Sequence, residues 1–314
     1  MKRASYILFV VVLTLFSCAK KEAQKVLDKP TKGVIVIAGD ESFAPVISQE
    51  INLFEYTYPE ASIIPIYASE VETMDLLLTD SVRFAITTRD YTEAEKIALR
   101  NQKMIPRSYC FAIDAVALIV NKNNPDSMLT IKQVKDILTG KITSWRDINP
   151  KSKIKDLTLT FDNKNSSTVR FALDSICKGE PMVGENIYAQ GTNEKVIDYV
   201  AATPGAIGVI GASWIGNKND STNMSFNDRV KVVAMSRDDV ATAANTYQPY
   251  QAYIALGYYP FVRRVYALDT SSRTGLARGF SNFLGGDKGQ LIVLKSGMLP
   301  TTQQVRIKQV KITE

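Results

Sequence analysis

Phe161-Asp162-Asn163-Lys164-Asn165-Ser166-Ser167-Thr168-Val169-Arg170-Phe171 is the stretch on which the fold turns. Just before it, Leu157-Thr158-Leu159-Thr160-Phe161 alternates apolar and polar residues, the period of a strand with one buried face. After it, Val169, Ala172, Leu173, Ile176 and Cys177 recur at helical spacing, and Gly179 stands where a helix stop belongs. The residues between are short, polar and suited to a turn. Ser166 or Ser167 can cap the helix, leaving its free N–H groups and positive dipole end aimed at the space the turn faces. A strand, a hydroxyl-rich turn and a helix N-terminus together can hold an anion. The same residues also describe a well-capped helix with no ligand.

The segments on the N-terminal side repeat the pattern. Val34-Ile35-Val36-Ile37 reads as a buried strand, followed by Gly39-Asp40-Glu41-Ser42-Phe43 and a helix that starts near Pro45 with Ile47, Ile51 and Phe54 on its inner stripe. Residues 62–67 form a second strand, and Ala68-Ser69-Glu70 leads into a helix. Phe84-Ala85-Ile86 is a third strand, running through Thr87-Thr88-Arg89 to a helix opened by a Thr92/Glu95 capping box. Three strand–loop–helix units in succession predict a parallel sheet wrapped by helices, with ligands collecting at the carboxyl ends of its strands. Ile113-Asp114-Ala115-Val116-Ala117-Leu118-Ile119-Val120-Asn121 is longer than an ordinary strand and is suited to crossing between domains. Further on, helices are expected over 130–138, 192–202, 276–284 and 288–295, and strands over 206–210 and 230–235. Residues 217–228 read as a polar surface loop, and residues 250–256 are expected to carry the chain back.

With 314 residues, 45% of them hydrophobic, the chain is long enough for two domains or one large one, with real cores. Its first residues lie outside them. Lys2 and Arg3 precede an apolar run from Tyr6 to Phe16 that is too short to span a bilayer and is shaped like a signal peptide, residues 1–17. Leu15-Phe16-Ser17-Cys18 resembles the lipobox of bacterial lipoproteins, which implies lipidation at Cys18, although Phe16 is an unusual occupant. Residues 18–32 are polar and lysine-rich and read as a lipid-anchored tether. Removing residues 1–17 takes away two of the six net positive charges and leaves +4, which gives no case for a nucleic-acid partner. Cys177 sits on an apolar helix face, and nothing in the sequence decides whether it pairs with Cys110. There is no histidine, the commonest metal ligand and general base. No catalytic residue, metal site or cofactor is expected, and no Gly-x-Ser-x-Gly elbow is present.

Taken in order, Ala115-Val116-Ala117-Leu118-Ile119-Val120-Asn121, Leu138-Thr139-Gly140-Lys141-Ile142 with Trp145, Gly205-Ala206-Ile207-Gly208-Val209, and Lys288-Gly289-Gln290 through Gly297 and Pro300 resemble the phosphate-binding-protein-like solute receptors of ABC transporters. The resemblance covers nearly all of residues 32–300. It implies an α/β, two-lobed type II periplasmic binding protein, each lobe a mixed sheet flanked by helices, joined by a hinge. Residues 33–113 with 250–314 would form lobe 1 and residues 114–249 lobe 2. It further implies a non-enzymatic, extracytoplasmic lipoprotein that binds a small solute, phosphate or a related oxyanion, and delivers it to a transporter permease, lying on the periplasmic side if the cell has two membranes. The alternative is the same fold with another small ligand, or with a ligand-less sensory or interaction role.

In that family the anion is held by hydroxyls, backbone N–H groups, one arginine and one aspartate. Matched onto this chain, the first-loop contacts fall at Ser42 and Phe43, the second-loop hydroxyl at Ser69, and the second-lobe turn at Ser166, Ser167 and Thr168. The family's aspartate position holds Thr88, and its arginine position holds Asp162. A guanidinium fork attracts an oxyanion and a carboxylate repels it, a difference of several kcal/mol at about 4 Å and an effective dielectric near 20. Either Arg89 restores the lost charge from the opposite lobe, or Asp162, with Asp40, Glu41 and Glu70, selects a less anionic or cationic ligand. A third possibility is that Asp162 turns to a neighbour such as Lys164 and never meets ligand. Arg170 reads as a solvated or structural charge.

Overall fold

The computed structural model describes residues 28–216 and 225–303. The signal segment 1–17, Cys18 and most of the tether lie outside the described residues, as does part of the 217–228 loop. The chain opens with β1 (Gly33–Asp40), one 3-10 turn (Glu41–Phe43) and α1 (Ala44–Thr57), which has Pro45 in its first turn. Next come β2 (Ala61–Ala68), α2 (Glu70–Leu78), β3 (Phe84–Thr87) and α3 (Glu93–Asn101). Thr92 and Glu95 form the expected capping box on α3. β1 pairs in parallel with β2 on one side and β3 on the other, as three consecutive strand–helix units require.

The long apolar run is β4 (Arg107–Asn121), 15 residues that join two halves of one curled sheet. Beyond it lie β5 (Met128–Thr130), α4 (Ile131–Leu138), α5 (Trp145–Ile148), β6 (Thr158–Phe161) and α6 (Ser167–Phe171). These are followed by β7 (Ile187–Ala189), α7 (Asn193–Ala202), β8 (Ala206–Gly211), β9 (Val230–Val232) and β10 (Ala234–Ser236). The chain returns through α8 (Gln251–Ala255), β11 (Val262–Asp269), α9 (Leu276–Gly285), α10 (Asp287–Lys295) and β12 (Leu299–Pro300). The strand order is β2-β1-β3-β11-β4-β8-β6-β7, with β9 and β12 on β4 and a separate β5–β10 pair. β4 runs antiparallel to β11 through residues 107–115 and to β8 through residues 116–120, so one strand serves both lobes. No helix among the described residues is long and apolar enough to cross a membrane.

Each lobe has its own aromatic core. In the first, Phe54 meets Phe280 and Phe283 edge-to-face, both with ring centroids at 5.3 Å. In the second, Trp145 is fully buried and its Nε1 donates to the Gly205 carbonyl at 2.9 Å. A Cβ at Gly205 would stand 2.0 Å from the Asp156 carbonyl oxygen, so only glycine allows that approach.

Two expectations are corrected. Residues 250–256 do not yet carry the chain back; Gln251–Ala255 is helical, Ile254 packs into the second lobe's core, and Tyr253 and Tyr258 pack with Tyr247 in an aromatic cluster. The return strand is β11, whose paired arginines hide its period. The single helix expected from 169 to 177 is α6 followed by a π-helical turn (Ala172–Ile176), and Gly179 closes it at φ +85°.

Glu50 on α1 is 1% exposed, and neither carboxylate oxygen has a hydrogen-bond partner. Burial pushes its pKa up to about 9. The unfolded chain ionises this group near the usual carboxylate range while the folded chain keeps it protonated. Stability therefore falls as pH rises between the two, by about 3 kcal/mol at pH 7. Urea unfolding at pH 5 and pH 8.5 should show a smaller pH-dependent loss for Glu50→Gln than for wild type. Equal losses would mean that Glu50 is solvated or paired.

Candidate functional site

The loops that follow β1, β3, β6 and β8 meet between the lobes. Ser42, on the turn after β1, brings its Oγ within 3.4 Å of Ser167 Oγ at the start of α6. Its carbonyl accepts from Ser213 Oγ at 3.3 Å and Trp214 Nε1 at 2.9 Å, both on the turn after β8. Ser166 caps α6 by accepting from the Val169 N–H, as the turn chemistry predicts. Ser42, Ser166, Ser167 and Thr168 are all buried.

The guanidinium at the centre belongs to Arg263, on β11. Its Nε donates to Asp114 Oδ2 at 2.9 Å and its Nη1 to Ser167 Oγ at 2.7 Å. The two residues are direct partners in the β4–β11 register. Arg263 Cζ lies 4.8 Å from the centroid of the Phe43 ring, which roots in the first lobe's core. Nη2 is buried with no hydrogen-bond partner, and so are Asp114 Oδ1 and Asp40 Oδ2. Unpaired buried groups of this kind cost about 1–3 kcal/mol each, so both donor and acceptor capacity is held unused between the lobes. Breaking a buried ion pair by removing one partner costs about 3–5 kcal/mol, which makes the Asp114–Arg263 pair structural as well as electrostatic.

Asp162 is buried, and both of its carboxylate oxygens have hydrogen-bond partners. It accepts from Thr168 Oγ1 at 2.7 Å and from Asn193 Nδ2 at 3.3 Å. It does not turn to Lys164; its partners bind it to its own lobe. Arg89 lies on the rim of the cleft, where its two Nη groups fork onto Glu95 at 2.9 and 2.7 Å. Ser69 is half-buried and accepts from the Glu72 N–H as the cap of α2. Thr88 is drawn into a network with Glu70 and Arg170, which bridges the lobes. A second bridge runs from Asn193 Nδ2 to Glu41 Oε2 at 2.6 Å.

Carboxyls crowd this cleft: Asp40, Glu41, Glu70, Asp114 and Asp162 surround Arg170 and Arg263. Burial, aided by the Glu70 charge and opposed by Arg263, pushes Asp40 up to about 7. Burial also raises Glu41 and Asp114, the latter against the pull of Arg263. Asp40 is thus poised near neutrality to offer a proton from Oδ2, or to accept one there. Among the described residues no group of three or more His, Cys, Asp or Glu side chains is placed to hold a metal. Cys110 and Cys177 are both free thiols.

The sequence reading missed Arg263, Asp114, Thr87, Asn193 and the Ser213–Trp214 turn. The available signal for Arg263 was its phase: residues 263, 265 and 267 face inward together along β11.

Two α/β lobes sharing a crossing strand, with loops converging on a buried polar cleft, define the two-lobed type II periplasmic binding fold. The chain belongs to the PBP superfamily: its residues 26–288 match the model of the PBP superfamily domain. It is 25% identical over 282 residues to the phosphate-binding protein PstS of Bacillus subtilis, covering 88% of this chain and 83% of that protein. The PstS of Staphylococcus saprophyticus is 22% identical over 248 residues, covering 78% of this chain and 73% of that protein. Among solved structures, a putative phosphate ABC transporter substrate-binding protein with bound phosphate from Clostridium perfringens superposes with a TM-score of 0.69 at 23% identity, over 86% of this chain and 100% of that one. An ABC-type phosphate transport receptor from Vibrio cholerae gives 0.63 at 20% identity, over 86% and 100%. These structures share the fold.

Proposed function

We propose that the protein is the extracytoplasmic solute-binding component of an ABC transporter, performs no chemistry of its own, and binds phosphate or a related oxyanion between its lobes. The observation that carries this is Arg263: a buried guanidinium with one edge pinned by Asp114 and one nitrogen unpaired beside Ser42, Ser167 and the helix start at α6. The ligand set is Arg263 with Ser42, Ser167 and the N–H groups at the start of α6. Phe43 supports Arg263 from below, and Ser166, Thr168 and Asp162 fix the turn. Thr88 and Ser69 border the same cleft, and Arg89 stays on the rim with its charge matched by Glu95. PstS relatives and phosphate receptors of this fold support the choice of anion.

Lobe 1 comprises residues 33–113 with the chain from β11 onward and lobe 2 the chain from residue 114 up to β11, a later return than the expected residue 250, supported by the split pairing of β4 and by Ile254, Tyr259 and Phe261 in the core around Trp145. Cys18 carries the lipid that anchors the protein on the outer side of a membrane, reached through the tether. Intact-mass analysis of the native protein should find an acyl adduct on Cys18; an unmodified N-terminus elsewhere would remove the anchor. The direct bonds between lobes, Asn193 to Glu41 and Arg170 to Glu70, favour a second reading in which the cleft closes on itself and serves as an interaction module.

Titration calorimetry separates the two. Wild-type protein should bind phosphate, and Arg263→Lys, which keeps the charge but loses the fork, should weaken binding at least tenfold, about 1.4 kcal/mol. Protonated Asp40 favours an anion and ionised Asp40 opposes it. Affinity for an anion of fixed charge should therefore fall as pH rises through about 7, and Asp40→Asn should flatten that dependence. No heat with any oxyanion in wild type would favour the ligand-less module.

A further inference from the structure

Glu70 is 2% exposed and stands in the first turn of α2, facing the second lobe. Its Oε1 accepts from Thr87 Oγ1 at 2.9 Å, the Thr88 N–H at 3.0 Å, Thr88 Oγ1 at 2.6 Å and Arg170 Nη2 at 3.2 Å. Its Oε2 accepts from Arg170 Nε. Two hydroxyls, a backbone N–H and a guanidinium therefore converge on one carboxylate. Burial pushes Glu70 up, but the hydrogen bonds and charge of Arg170, with those of Thr88 and Thr87, outweigh it and hold the group below the usual carboxylate range. The cage is thus selective for negative charge. Its parts come from both lobes, with Thr87 ending β3, Thr88 following it and Arg170 on α6. A groove of about 400 Å³, lined in part by Glu70, Arg170, Arg89 and Ser166, opens beside it.

We propose that Thr87, Thr88 and Arg170 form a second oxyanion subsite of the cleft, that the chain fills it with its own Glu70 carboxylate, and that Glu70 thereby restricts the ligand to a single acidic group. This rests on reading the cleft as an oxyanion site. Hydroxyl, N–H and guanidinium donors do not distinguish a carboxylate built into the chain from one that diffuses in. An arriving ligand with an acid at each end would have to displace Glu70 and break its ion pair with Arg170. A ligand with one acidic head meets Arg263, Ser42 and Ser167 and leaves the Glu70 cage intact, so closure across the lobes and binding are compatible.

Truncating Glu70 to alanine should empty the cage and leave Arg170 with only the exposed Asp174, at 3.3 Å from its Nη1, as a charged partner. Acetate should then act as a replacement, raising the melting midpoint of Glu70→Ala by about 5 °C or more at saturation, with no comparable effect on wild type. Acetamide, of the same shape without the charge, should do nothing, and Glu70→Ala/Arg170→Met should lose the acetate response. If Glu70→Ala is unfolded in plain buffer, acetate should restore its folded circular dichroism. A variant that neither gains stability from acetate nor refolds in it overturns the proposal. Phosphonoacetate, with an acid at either end, should bind Glu70→Ala at least tenfold more tightly than wild type; equal affinities would also overturn it. Failure of wild type to bind phosphate would strike the functional reading alone, because the acetate response requires only Thr87, Thr88 and Arg170.

Discussion

The buried pair of Arg263 and Asp114 is the constraint on which the rest of the cleft depends. Removing two charges from water costs several kcal/mol per ion, and their mutual attraction offsets that only with good geometry and further hydrogen bonds. Here the geometry comes from the backbone: the two residues are register partners on the strands that link the lobes. Phe43 supplies a ring against the guanidinium face, and Ser167 takes one Nη. The arginine is thus fixed before any ligand arrives, so little side-chain entropy remains to be lost on binding.

The acid-rich surroundings follow from that choice. With the buried guanidinium supplied from β11 and bonded to Ser167, position 162 holds an aspartate that fastens Thr168 and Asn193. The carboxyls left around the cleft cannot all ionise cheaply in a low-dielectric space, so Asp40 shifts to about 7 while Glu70 stays charged by recruiting five donor contacts. The two acids differ in their environment, not in their chemistry. One sits with an unpaired oxygen and the other is fully satisfied.

Much of the fold was legible in the sequence because periodicity and caps are local. The strand–helix units after β1, β2 and β3, the Thr92 box, the long run of β4 and the Ser166 cap could each be read from a few neighbouring residues. The cleft was only partly legible. Its hydroxyls follow strands and precede helices, and so declare themselves. Arg263 lies 96 residues after Ser167 in a strand whose pattern is broken by Arg264, and only tertiary pairing brings it to the site. Arg89 offered a nearer cation, but Glu95, placed by its own capping box, claims it first. Residues 250–256 misled as to where the chain returns, because their tyrosines pack on Tyr247 of the second lobe, a contact that no local pattern announces.

If Arg263 is the cation of the site, its guanidinium is the one a ligand must perturb. Nitrogen-15 spectra of arginine-labelled protein during a phosphate titration read each guanidinium separately, with assignments fixed by Arg263→Lys and Arg89→Lys. The predicted result is a saturable shift of the Arg263 Nε and Nη signals, with Arg89 unmoved. A saturable shift at Arg89 with Arg263 unchanged would contradict the account.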